Sequence, residues 1–454
     1  MKLKYWILVF FALSTAIRLF FNFSQELIPG VNGGYYPLQV RSILMEGQLG
    51  FSDMPLLFYL NALIVKFISL FGFPITDTLI MNVVKMVDSI SLPLLLLPLY
   101  KIIQQSKPTK ILQISILVFS VLSFSPLILT SDLQKNSLAI ALMVAAFANF
   151  FSFQIDKKKI EIVWSTIFLV ITGLTHFGTF VFGLFFLIVI IVYTYRKKAI
   201  IPVFLIAIIG LGVVLINDVS RFNRLLSFWS SIFEKPAIIN GMLSPPDMFI
   251  IVFSILLGVF GIIAIRKKKD ELTINQKAVI FASSVCLLTC SFPFLDGEYF
   301  KRLGLFLFIP QLFLIIQLSS VIILKQQKTI GILLFAFTFL SILAVLGHPK
   351  ETVIDENAYT DLKKLQSVVT NNHETLIISR HGLEWWTAWL LKTKVGQDKA
   401  IDKSTIEKYK SIIVLNQING FSSEMERSPF HEPFVPDDAI KIYSSEYFKA
   451  YKIK

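Results

Sequence analysis

The sequence predicts an α-helical, polytopic membrane protein with about eleven transmembrane helices, outer-face juxtamembrane helices and a small extracytoplasmic α/β domain at the C-terminus. Three observations lead there. Hydrophobic residues make up 55% of 454 and the mean hydropathy is +0.69, more apolar sequence than a soluble chain of this length carries in unbroken runs. Runs such as Tyr5–Ile17, Ile111–Leu129 and Phe177–Tyr195 are each near the length that crosses a bilayer as a helix. The basic residues fall in short clusters between these runs, as the positive-inside rule requires. The net charge of +13 is therefore topological: the expected partner is the lipid bilayer, and nucleic acid is not expected.

Each element follows from this charge pattern. Lys2 and Lys4 put the N-terminus inside, and a first crossing spans 5–23. No small-residue cleavage site follows that run, so it reads as a retained helix, not a signal peptide. The basic clusters Lys101/Lys107/Lys110, Lys157–Lys159, Arg196–Lys198, Arg266–Lys269 and Lys325/Lys328 are each expected on the cytoplasmic side. That holds only if 55–72 is an outer-face helix in the interface and not a full crossing. The remaining crossings are then 79–101, 111–130, 133–153, 161–175, 177–195, 199–217, 247–265, 275–294, 301–324 and 329–347. The setting is the cytoplasmic (inner) membrane, multi-pass, with the C-terminus outside. Residues 1–347 form the transmembrane domain, whose first outer loop is 24–78, and 348–454 the extracytoplasmic domain. In that tail Leu376–Ser379 and Ser411–Leu415 are strand-like, and Gly382–Lys392 is helix-like. Cys286 and Cys290 lie four apart in an apolar run and read as packed thiols.

Chemistry at the outer face requires polar side chains there, and several segments supply them. Asp53 in "SDMPLLFYL" stands just before the outer-face helix, either as its N-cap or as a functional carboxylate. Asp132 in "ILTSDLQKNSL" lies in a very short outer turn, with Lys135 one turn on, and the same two readings apply. Two carboxylates from separate segments at one surface would suit general-base chemistry or a divalent cation, although no ligand spacing compels a metal. "FLDGEYFKRLGLFLFIP" brings Asp296, Glu298, Lys301 and Arg302 to one short loop, either as a solvated turn with basic anchors or as a phosphate-binding group. His176 in "GLTHFG" has a loop or packing role, or faces the outer surface. Lys85 and Asp88, three apart, share a helix face and are expected to neutralise each other within the span. Arg18, toward the outer end of the first crossing, snorkels or meets a lipid phosphate. Arg380, His381, Glu384 and three tryptophans in "IISRHGLEWWTAWLLKTKV" suit sugar stacking or simple packing. No Walker loop, G-x-G-x-x-G, HExxH or G-x-S-x-G occurs, which argues against an ATPase, a cytosolic nucleotide-sugar enzyme and a metalloprotease.

The layout resembles the GT-C superfamily of integral-membrane glycosyltransferases, which includes protein O-mannosyltransferases and aminoarabinose transferases. The residues that carry the resemblance are "NGGYYPLQVRSIL" (Asn32–Leu44), "SDMPLLFYL" (Ser52–Leu60) and "TSDLQKNSLAIAL" (Thr130–Leu142). It implies transfer of a sugar from a polyprenyl-phosphate-linked donor to a protein, lipid or glycan acceptor on the outer face. It also implies a first-loop aspartate that acts as base or binds the acceptor. Asn32 stands at that position, and an amide cannot take a proton from a hydroxyl at neutral pH. The role then passes to Asp53, ranked first, or Asp132, ranked second, unless Asn32 only positions a ligand. The resemblance further implies that Tyr35 and Tyr36 line the acceptor or sugar site and that Arg302, Lys301 and Arg18 hold the leaving phosphate. Arg41, Glu46, Asp296, Glu298 and His176 complete the substrate-binding candidates. The alternative is a non-catalytic GT-C-like protein that binds lipid-linked saccharide or scaffolds envelope assembly. A polymerase of the O-antigen type ranks lower, because the 218–246 loop carries Arg221, Arg224 and Lys235 with few aromatics. So does a transporter, because no repeated halves are visible.

Overall fold

The computed structural model describes residues 3–196, 231–239, 245–369, 374–396, 407–421 and 432–453. The expected crossing at 199–217, with Arg221 and Arg224, lies outside the described residues. The chain divides into two compact units. One comprises Met1–Ala12, Leu92–Ile128 and Ala139–Val345, and the other Leu13–Ser91, Leu129–Leu138 and Leu346–Lys454. The second unit therefore joins the loop after residue 23 and the turn before residue 134 to the C-terminal tail, a grouping different from the division at residue 347 read from the sequence.

The helices are α1 (Leu3–Phe23), α2 (Tyr35–Glu46), α3 (Leu56–Ser69), α4 (Asp77–Ser91), α5 (Leu96–Ser106), α6 (Lys110–Leu122), α7 (Phe124–Ile128), α8 (Gln134–Asp156), α9 (Lys159–Thr175), α10 (Phe177–Tyr195), α11 (Pro245–Lys267), α12 (Ile274–Cys290), α13 (Gly297–Gly304), α14 (Phe308–Leu318), α15 (Leu324–Gly347), α16 (Glu356–Lys364) and α17 (Leu383–Leu391). Among the described residues seven stretches are long and apolar enough to cross a bilayer, or eight if α13 and α14, bent by 44°, form one broken span. The protein is a multi-pass membrane protein; ten of the eleven expected crossings fall on described residues, and seven or eight of these reach spanning length. Helices α9 and α12 stop at 17 residues, about 25 Å of rise against a hydrocarbon core of about 30 Å. Helix α3, at 14 residues, is too short to cross. Pro93 opens a 3-10 turn, Pro93–Leu95, between α4 and α5, where a ring without an N–H cannot continue the helical ladder.

In the first unit an aromatic cluster fills the core. Phe147 lies 5.0 Å from Phe186 and 5.6 Å from Phe313, ring centre to ring centre. Lys101 Nζ is neutralised by Glu161 at 2.9 Å and also donates to Asn149 at 3.0 Å.

In the second unit the tail forms a five-stranded sheet of β1 (Thr375–Ile378), β2 (Lys394–Gly396), β3 (Ser411–Gln417), β4 (Ile440–Ser444) and β5 (Phe448–Lys452), in the order β2-β1-β3-β5-β4. Strands β1, β2 and β3 run parallel, and β5 and β4 are added antiparallel. Helix α17 is the crossover that parallel β1 and β2 require. All of β1, and Ile412–Leu415 of β3, are buried, so these strands read as short continuous apolar runs.

Arg41, a substrate-binding candidate from the sequence, is instead a tie between α2 and α17. Its guanidinium donates to the carbonyls of Trp389 (2.5 Å) and Ala388 (3.0 Å) and lies 4.3 Å from the Trp389 ring centre. It thus satisfies end-of-helix carbonyls while stacking on an indole. Arg41→Ala is expected to cost about 2–3 kcal/mol, the scale of buried charge-assisted bonds, with Arg41→Lys recovering only part because an ammonium lacks the planar fork. Thermal unfolding of the detergent-solubilised protein measures it, and an unchanged midpoint would contradict this role.

Candidate functional site

The site is built within the second unit, and its foundation is a buried ion pair. Arg18 and Asp88 are both fully buried, with Nη2 to Oδ1 at 3.1 Å. Arg18 also donates to Ser137 Oγ at 3.0 Å. The other Asp88 oxygen accepts from Asn22 Nδ2 and from the Ser131 backbone N–H, each at 2.9 Å. Ser131 Oγ donates back to Asn22 Oδ1 at 2.7 Å. Arg18 therefore faces neither lipid nor a phosphate. Lys85 and Asp88 do not pair, contrary to the sequence expectation. Sharing a helix face only brings side chains within reach, and tertiary partners outbid that proximity. Lys85 Nζ donates to the carbonyls of Gln25 and Glu26 at 2.8 Å each.

This network sets the backbone of the second outer turn. Ser131 has φ +70, a left-handed conformation that costs a non-glycine residue about 1–3 kcal/mol. Its N–H and hydroxyl are both held, so the conformation is over-determined. The next residue, Asp132, is thereby aimed at the first loop. Its Oδ1 accepts from the Asn32 backbone N–H (2.7 Å) and from Asn32 Nδ2 (3.1 Å). Tyr36 Oη donates to the Asp132 carbonyl at 3.1 Å. Gly30 makes the approach possible: its φ is +92, and a Cβ there would lie 2.5 Å from Asp132 Cβ. Asp132 is thus not an N-cap of α8. Among the described residues no donor reaches its Oδ2.

Asp53 is not a helix cap either, since the N-cap position of α3 is Pro55 and no side chain caps it. Its Oδ1 accepts from the Met54 N–H at 2.7 Å. Its Oδ2 accepts from Tyr35 Oη at 2.5 Å and is ion-paired with Lys135. Gln39 Nε2 supports this from behind, donating to Tyr35 Oη and to the Phe51 carbonyl at 2.9 Å each.

Aromatic rings cluster around Tyr35, the phenol partner of Asp53. Tyr35 lies 4.9 Å from Trp385 and 5.6 Å from Phe58, and Phe51 lies 5.2 Å from Trp385. Gly34 allows the tail this close, because a Cβ there would lie 2.9 Å from the Trp386 ring. Burial, reinforced by Asp132 and Asp53, pushes the Tyr36 phenol well above its ordinary range, so it stays a neutral donor. His381 Nδ1 lies 2.8 Å from Glu384 Oε1.

The structure thus brings Asn32, Tyr35, Tyr36, Asp53 and Asp132 together. Glu46 is exposed at the last position of α2. His176, Asp296, Glu298, Lys301 and Arg302 belong to the first unit. There His176 caps α10, its Nδ1 accepting from the Thr179 N–H at 3.1 Å. Asp296 caps α13, accepting from the Glu298 N–H at 3.0 Å. Arg302 is ion-paired with Glu298 one turn away, both exposed. Reasoning from sequence missed Gln39, Phe58 and the pairing of Lys135 with Asp53; that pair is 82 residues apart, beyond any local pattern. Among the described residues no three of His, Cys, Asp and Glu are grouped to hold a metal ion.

No protein-family model matches the chain, and no curated protein does. Among solved structures it is similar to the apo oligosaccharyltransferase of Archaeoglobus fulgidus, with 11% identity and a TM-score of 0.61 over 90% of this chain and 69% of that one. It is likewise similar to the archaeal oligosaccharyltransferase AglB of Archaeoglobus fulgidus in complex with an inhibitory peptide and a dolichol-phosphate, with 11% identity, a TM-score of 0.60 and the same coverage. The likeness is one of fold: this chain has the GT-C fold that its first-loop motifs resemble.

Asp88→Asn is expected to destabilise the protein by about 3–5 kcal/mol, because it leaves a buried guanidinium without its charge partner. Pairing it with Arg18→Met should restore part of that loss. Thermal unfolding of the two variants in detergent decides it; equal midpoints for wild type and Asp88→Asn would remove the network from this role.

Proposed function

Taking the GT-C fold as premise, we propose that this protein is a membrane glycosyltransferase that moves a sugar from a polyprenyl-phosphate-linked donor to an acceptor at the outer face. The observation that carries the reading is the state of Asp132. Asn32 occupies the position where the resembling family has an acid, and it holds one oxygen of Asp132 with two N–H groups. A carboxylate from the second loop thus stands beside the place of the missing one, with no donor on its Oδ2 among the described residues. Asp53, ranked first from the sequence, ranks second here. Its oxygens already accept from a backbone amide, a phenol and an ammonium, and a carboxylate has about four lone-pair sites to offer.

In this mechanism the heteroatom of the acceptor attacks the anomeric carbon. The bond from that carbon to the phosphate oxygen breaks, and the lipid phosphate leaves with the electron pair. The proton of the nucleophile passes to Asp132 Oδ2. The half-buried Tyr35 and Trp385 offer faces on which a sugar ring stacks. The dolichol-phosphate and peptide named with the AglB structure support a lipid-linked donor and a protein acceptor as the first classes to test. Asp132→Asn should lower transfer by about 10²–10⁴-fold, the range for a positioned general base, while its amide oxygen keeps the bonds from Asn32. Asp53→Asn should cost less. The assay follows a tritiated lipid-linked sugar fraction, extracted from the expression host, into total membrane protein and lipid; unchanged transfer in Asp132→Asn would refute the mechanism.

One observation favours the non-catalytic reading, namely an asparagine at the first-loop acid position together with an Asp53 neutralised by Lys135. It is separated by the same preparation, since retention of the lipid-linked sugar without transfer by the wild type would establish it.

The charge clusters support an inner-membrane setting with the N-terminus inside and the tail outside. A cysteine placed at exposed Lys408 should react with a membrane-impermeant maleimide in intact spheroplasts, while the buried Cys286 and Cys290 stay silent. Labelling only after lysis would invert the topology.

A further inference from the structure

His381 is not used by the chemistry above, yet it stands at the edge of the same site. Its Nδ1 lies 2.8 Å from Oε1 of Glu384. The Glu384 side chain is 2% exposed and that of His381 33%, so the imidazole has a buried carboxylate behind it and reaches the accessible side. The turn that carries it packs on the first loop. Gly382 has φ +90, and a Cβ there would lie 3.1 Å from Val31 Cγ1 and 3.3 Å from the Val31 carbonyl, one residue before Asn32. The imidazole ring is also 6.4 Å from Trp385, whose indole faces Tyr35 at 4.9 Å. A carboxylate bonded to Nδ1–H fixes the tautomer in which Nε2 carries the lone pair, the arrangement that makes histidine a general base.

Resting on the transferase reading, we propose that His381, oriented by Glu384, is a second acid–base residue of this site. It takes from Asp132 the proton that the acceptor nucleophile loses. The proton leaves Asp132 Oδ2 and is relayed by water to imidazole Nε2, Glu384 remains a carboxylate that stabilises the imidazolium, and the proton then passes to bulk water. Asp132 is returned to its ionised form. The groups that bear on the imidazole agree with this. The Glu384 hydrogen bond and charge, with Asp132, push its pKa above the ordinary histidine value, against burial and Arg380. Arg380 is itself ion-paired with Glu432 at 3.1 Å. A base whose pKa lies near the working pH is the efficient one.

The sign of the pH dependence follows. Only neutral imidazole accepts a proton, so transfer rises with pH through the raised pKa of His381 and levels off above it. Glu384→Gln removes the carboxylate and should move that limb to lower pH. His381→Gln should remove the limb and lower transfer about 10-fold or more. His381→Ala supplied with imidazole should regain transfer, which a packing defect would not do. The full-length protein in nanodiscs, assayed with the same tritiated lipid-linked sugar fraction across pH, reads all of these. Wild-type rate and limb in His381→Gln would overturn the proposal. So would a lowered rate with the limb unmoved and no response to imidazole. If Asp132→Asn abolishes transfer while the His381 variants behave as wild type, this inference alone fails. If Asp132→Asn transfers normally, the reading beneath it fails as well.

Discussion

The buried pair of Arg18 and Asp88 is the interaction on which the candidate site rests. Two charges removed from water in a helix are costly unless every remaining lone pair and N–H is used. Here Asn22, Ser131 and Ser137 supply the partners. Completing the network requires the second outer turn to bring its backbone to Asp88, and Ser131 reaches it only with φ +70. The strain at Ser131 is thus small against the penalty of an unsatisfied buried carboxylate. The consequence for chemistry lies one residue on, where Asp132 meets Asn32 over a glycine that has no side chain to block it.

The two outer-face aspartates look alike in the sequence, and their surroundings make them different. Asp53 is paired with an ammonium, a phenol and an amide, so it fixes Tyr35 and Lys135 more than it offers itself. Asp132 is held on one side only. This asymmetry follows the usual logic of paired carboxylates, in which environment and not identity assigns the roles. Tyr35, with Trp385 and Phe58 packed against it, covers the Asp53 side, which strengthens the contacts made there.

The tail is joined to the first loop by contacts that require small and planar groups. Gly34 lets the backbone lie against Trp386, Gly382 packs on Val31, and Arg41 closes the end of α17 over the Trp389 ring. The Gly-Gly pair in "NGGYY" is therefore explained by close approach: a Cβ on Gly33 would lie 2.0 Å from the Ile28 carbonyl. The turn that carries His381 packs on the first loop because this seam is tight.

By itself the sequence determined the multi-pass membrane class, a short helix expected at 55–72 and found at Leu56–Ser69, and the strand–helix–strand order of the tail. Hydrophobic run length and period are local properties, and the bilayer reads them directly. It also pointed to the loop from Pro29 to Leu44 and to Asp53 and Asp132, which the structure brings together in one unit. The tertiary structure alone decided the partners. Lys85 parted from Asp88, Arg41 turned to helix carbonyls, Lys135 reached Asp53 and Asp132 took up Asn32. Each of these contacts joins residues that are tens to hundreds of positions apart, and charge complementarity in a sequence names the candidates without their distances. The packing of α1, α4 and the outer turns chose among them, because burial makes an unsatisfied polar group far more costly than any local preference.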